Sequence, residues 1–78
     1  MKQAIKQIFV DELGVEDASY SEDLKYNSIP EWDSASHMVI AMAIEERFEL
    51  ELDSDEIVSM TSIHKIYEVL QKRGVDLG

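Results

Sequence analysis

Apolar residues recur at helical spacing over three stretches of the chain. Ile5, Ile8, Phe9 and Leu13 form the first stripe, the three-and-four pattern of a helix with one face turned inward. Gly14 follows it and reads as a stop, because glycine takes the left-handed conformation that ends helices. The pattern predicts a helix over residues 2–13. A second helix is predicted from Asp33 or Ser34, with Asp33 as N-cap, to Phe48 or Glu49. Its expected core face is Met38, Ala41, Ile44 and Phe48, with Ile40 at the margin. The last stripe is Ile63, Ile66, Tyr67 and Leu70, capped by Thr61 or Ser62 and stopped by Gly74.

The intervening segments lack such periodicity. From Val15 to Trp32 the turn formers Asp17, Ser19, Ser21, Asn27, Ser28 and Pro30 predict a long loop. Val15, Tyr20, Leu24, Tyr26 and Ile29 are expected to pin it down, and Ser21-Glu22-Asp23-Leu24 to hold a single helical turn capped by Ser21. Leu50 and Leu52 alternate with acids, but so short a run with no partner strand reads as an extended linker. Asp53 or Ser54 then caps a short helix, Asp55 to Met60. The fold class is all-α: three main helices plus a short one between the second and the last.

A chain of 78 residues points to one domain, with no room for both a deep cleft and its supporting core. That favours a carrier or binding module over a self-sufficient enzyme. Without cysteine there is no disulfide framework and no zinc site of the Cys type. No apolar run approaches the roughly 20 residues of a membrane span. Met1-Lys2-Gln3-Ala4-Ile5-Lys6 is amphipathic rather than signal-like. A soluble, cytoplasmic monomer with no membrane partner is expected.

The net charge of −10 argues against nucleic acid, which needs a basic surface. It suits a basic protein partner, or simply solubility. The charge is unevenly placed. Nine acids lie between Glu31 and Glu56, with Arg47 as the single base among them.

The candidate chemistry lies in Pro30-Glu31-Trp32-Asp33-Ser34-Ala35-Ser36-His37-Met38. Ser34 falls on the first turn of a helix, accessible to another enzyme. Unpaired N–H groups and partial positive charge there favour an attached phosphodiester. Asp33 is placed to help position a metal-bound nucleotide substrate. The plain alternative is that Asp-Ser is only a helix cap. His37 and His64 read as surface or helix-boundary residues, with no nucleophile, oxyanion site and orienting acid around them. His37, one turn after Ser34, is within reach of a group attached there. Trp32 either shields that point or anchors the loop. Asp53, Ser54, Asp55 and Glu56 do not make an EF-hand loop, which leaves at most weak divalent-ion binding.

The ordered set of motifs resembles the acyl carrier protein family over nearly the whole chain. Asp33-Ser34-Ala35 stands where that family has Asp-Ser-Leu at the start of its second helix. Ala43-Ile44-Glu45-Glu46-Arg47-Phe48 matches the Glu-Glu-x-Phe end of that helix. Glu51-Leu52-Asp53-Ser54-Asp55-Glu56-Ile57 matches the short acidic third helix, and Met60-Thr61-Ser62-Ile63 the cap before the fourth. The resemblance implies a four-helix bundle and a single carrier domain over residues 1–78. It implies a 4′-phosphopantetheine arm on Ser34, added from coenzyme A by a phosphopantetheinyl transferase. The arm's thiol would hold acyl groups as thioesters for acyl-loading and acyl-using enzymes, and the protein itself would catalyse nothing. Ala35, Glu31, Trp32, His37 and Val39 depart from the family's usual residues. They point away from housekeeping fatty-acid synthesis to a specialised pathway. A fatty or polyketide-type cargo stands ahead of an aminoacyl or peptidyl one. An acidic helical adaptor or inhibitor without a prosthetic group is the competing reading.

Ala35, Val39, Met42 and Glu46 follow Ser34 along one face of the second helix. With Glu45 they would offer an apolar centre with an acidic rim to a basic enzyme surface; otherwise Val39 and Met42 pack under the long loop. Met38 and Met60 either line a space that opens for an acyl chain or are ordinary core residues.

Overall fold

Helix α1 runs Lys2–Leu13 in a computed structural model that describes residues 2–76. Met1, Leu77 and Gly78 lie outside the described residues. α1 ends as its sequence predicts. Gly14 takes φ +71°, and its N–H donates to the Val10 carbonyl at 3.1 Å, a left-handed exit that a Cβ would disfavour. Helix α2 spans Ser34–Phe48, α3 Ser54–Ser59 and α4 Ile63–Lys72. The four helices and their order agree with the expected all-α class.

Three caps set these boundaries. The Asp33 carboxylate accepts the Ser36 N–H at the start of α2. Asp53 and Glu56 form a reciprocal capping box on α3. The Ser62 hydroxyl accepts the Lys65 N–H on α4. At the far end of α4, Gly74 donates to Gln71 and Val75 to Leu70, both at 3.0 Å. This is a Schellman ending, with Val75 folded back on the core.

The loop between α1 and α2 holds a 3₁₀ turn at Asp17–Ser19. The helical turn expected at Ser21–Leu24 is instead a reverse turn. The Ser21 hydroxyl captures the Asp23 N–H at 2.9 Å and its carbonyl the Leu24 N–H, a local pattern that competes with helix. The next residues are drawn into extended pairing with the start of α4. Ile63 donates to the Leu24 carbonyl at 3.0 Å and Tyr26 to the Thr61 carbonyl at 2.8 Å. Val15 is buried and Tyr20, Leu24 and Ile29 pack on the core, while Tyr26 is 38% exposed.

The core joins all the main helices through Ile5, Phe9, Trp32, Ile40, Ile44, Met60, Ile66 and Leu70. Trp32 meets the Phe9 ring edge-on, with centroids 4.8 Å apart. It is a loop anchor, fully buried, rather than a shield over the surface. The predicted face of α2 needs correction. Met38 is 49% exposed, whereas Ile40 is fully buried. The inward stripe is His37, Ile40, Ala41 and Ile44, with Phe48 half-buried at its end. α2 is apolar around most of its circumference, so its own pattern does not fix its rotation. Tertiary partners do, chiefly Trp32 against His37. No helix among the described residues is long and apolar enough to cross a membrane.

Candidate functional site

Ser34 is the first residue of α2 and is exposed. Its position follows from the cap before it. Asp33 is extended, at φ −109° and ψ −171°. Its Oδ1 accepts the Ser36 N–H at 2.9 Å and its carbonyl the His37 N–H at 2.8 Å. The Ser36 bond holds the Asp33 carboxyl below the usual carboxylate range. The first-turn amides of a helix lack helical acceptors, so the Ser34 hydroxyl sits where negative charge is favoured.

His37 is the main surprise of the site. The sequence reading took it for a surface or boundary residue, but it is only 9% exposed. Trp32 Nε1–H donates to His37 Nδ1 at 3.0 Å, and His37 Nε2 lies 2.7 Å from the Ile57 carbonyl oxygen. An indole N–H only donates and a carbonyl only accepts. The ring is therefore neutral, with its proton on Nε2. The rings of Trp32 and His37 are inclined by 22°, and Tyr26 stands edge-on to the imidazole at 5.4 Å. The pairing spans the loop between α1 and α2, α2 itself and α3. A donor-only indole five residues before an imidazole was the available signal.

Beside Ser34 opens a cleft of about 240 Å³, lined by Tyr26, Ser34, His37, Val58 and Thr61. Tyr26 and Thr61 have other tasks in the sequence, in pinning the loop and capping the last helix, and nothing there brings them or Val58 to Ser34, because the three come from separate segments. A second depression of about 260 Å³, lined by residues of α1 and α2 including Asp11, Glu12 and Arg47, lies away from Ser34.

The other candidates divide clearly. Ala35, Val39, Met42 and Glu46 are all exposed along α2, so Val39 and Met42 are not packed under the loop. Glu45 is half-buried, and its Oε2 accepts the Leu52 N–H at 2.8 Å, which gives it a structural task. Met38 and Met60 do not share an interior space, since Met60 is fully buried and Met38 is half-exposed. The idea of a chamber lined by both falls with that. His64 is exposed, 3.8 Å from Asp23. In the acidic segment, Asp53 and Glu56 are engaged in capping, and Glu56 pairs with Arg73. Among the described residues no group of three potential ligands gathers to hold a metal ion.

No family model matches the chain, and no solved structure does. A curated acyl carrier protein of Akkermansia muciniphila is 28% identical over 72 residues, covering 92% of this chain and 90% of the relative. In its all-helical order with a short third helix, and in an alignment that runs over nearly the full length of both chains, the chain is similar to an acyl carrier protein.

Proposed function

We propose that this protein carries acyl groups on a 4′-phosphopantetheine arm esterified to Ser34 and presents them to partner enzymes without catalysing the chemistry itself. The observation that carries this reading is the exposed Ser34 hydroxyl on the first turn of α2, next to the cleft of Tyr26, His37, Val58 and Thr61. The residues present fit the group. The phosphodiester would lie at the positive end of α2, and the cleft offers aliphatic surface from Val58 with hydroxyls from Tyr26 and Thr61 to an amide-containing chain. When bound, the arm supplies a thiol that holds cargo as a thioester.

Loading requires a separate transferase. The Ser34 oxygen forms a bond to the phosphorus that bears the pantetheine. The bond from that phosphorus to adenosine 3′,5′-bisphosphate breaks, and the hydroxyl proton leaves to a base of the transferase. Asp33 fixes the turn that presents the hydroxyl, and its carboxylate is available to help position the nucleotide. Ala35, Val39 and Met42, rimmed by Glu46, form the surface on which basic partner enzymes would dock. The protein acts as a single carrier domain and a monomer, in a specialised pathway rather than housekeeping synthesis.

Intact-mass measurement after incubation with coenzyme A and a phosphopantetheinyl transferase tests this. One phosphopantetheine should add to the wild type and none to Ser34→Ala. An unmodified wild type would leave the acidic adaptor as the better reading.

A further inference from the structure

We propose that His37 is a positioning residue that clamps α3 against the Ser34 end of α2 only while its ring is neutral, so that protonation releases α3. The clamp belongs to the polypeptide and does not depend on whether Ser34 is loaded.

The geometry allows one hydrogen-bonding state. Nδ1 must accept from the Trp32 indole and Nε2 must donate to the Ile57 carbonyl. An imidazolium carries hydrogen on both nitrogens. Its new N–H would point at the buried indole N–H, leaving two donors face to face. Trp32 is fully buried, so its N–H has no solvent to turn to, and an unmatched buried donor is costly. The position adds to this, because His37 lies in the first helical turns of α2, where the backbone dipole disfavours positive charge.

No carboxylate compensates. Among the described residues no ion pair reaches the His37 ring. Asp33, at the start of the same helix, gives its Oδ1 to the Ser36 N–H. On the α3 side, Glu56 is paired with Arg73, Asp53 accepts the Glu56 N–H, and Asp55 is exposed. From the loop, Tyr26 offers a ring edge rather than a charge.

α3 is the element most exposed to this loss. It has six residues, none of them buried. Beyond its capping box, it is held by Ile57 packed on the core, the Glu56–Arg73 pair and the His37 bond. Short elements with few buried contacts open first. Val58, which lines the cleft beside Ser34, lies on α3. Release of α3 therefore widens that cleft.

Backbone amide protection, followed by NMR with the His37 ring nitrogens, tests the clamp on the unmodified chain. At about pH 7.5 the ring should show the Nε2–H tautomer. As acidification protonates the ring, read directly from its nitrogen shifts, protection in α3 should fall with it about tenfold, the factor expected for one lost buried bond. Protection in α1 and α4 should hold. His37→Gln, whose amide can accept from Trp32 and donate to Ile57 without titrating, should keep α3 protected throughout. Ring protonation with α3 unchanged, a ring in the Nδ1–H tautomer, loss of α3 protection while the ring is still neutral, or a full loss of protection in His37→Gln would each overturn the proposal.

Discussion

The Glu45 carboxylate reaches across the bend after α2 to accept the backbone N–H of Leu52 at 2.8 Å. Its neighbour Glu46 points outward on the proposed docking face. Two adjacent acids thus have different jobs. Glu45→Ala strands the Leu52 N–H and should cost about 1–2 kcal/mol in urea unfolding. Glu46→Lys should stay within about 0.5 kcal/mol of wild type and slow association with a basic partner enzyme severalfold at low salt. Equal effects of the two on stability would refute the division.

The rotation of α2 makes Ile40 and Met38 a second matched pair. Ile40 is fully buried while Met38 is half-exposed. Ile40→Ala should lose about 2–5 kcal/mol, the range for cavity-forming changes in a core. Met38→Ala should lose less than about 1 kcal/mol. Chemical denaturation of the two variants under one condition decides it, and the reverse ranking would restore the face expected from spacing alone.

Arg73, just past α4, grips both carboxylate oxygens of Glu56 on α3, one of them through Nε at 2.8 Å. The guanidinium, with the capping bond to the Asp53 N–H, pulls the Glu56 carboxyl from 4.5 down to about 2. A depressed folded-state value means the stabilisation is present above the ordinary carboxylate range and fades as pH falls from about 4.5 towards 2. Arg73→Gln should therefore be less stable than wild type near neutrality, and the gap should close through that acidic window. Unfolding midpoints taken across pH would show this, and a gap independent of pH would contradict it.

Several helix ends were easy to read in the sequence, because a local device sets them. Gly14 and Gly74 supply left-handed exits, and Asp33, Asp53 and Ser62 supply caps. The exposure of Ser34 followed from its place just after a cap. The inward face of α2 was not legible, since Met38 through Ile44 is apolar without a break and no rotation leaves a wholly polar outside. His37 was assigned to the surface because a polar residue there has no visible local partner. Its partners, Trp32 and Ile57, are brought to it by the packing of the loop and α3. The Ser21 turn was missed for a related reason: the extended bridge between Lys25 and Ser62 fixes the chain just beyond it, across a separation no local pattern reports.

That bridge bears on how any cargo could travel. The segment leading to Ser34 is sewn to the entrance of α4 by Tyr26 and Leu24, and nailed inside the protein by Trp32. The proposed attachment point is thus a stationary pivot. Whatever reach a group hung on it achieves comes from the rotatable bonds of that group, and the polypeptide beneath contributes a fixed origin from which the swing is measured.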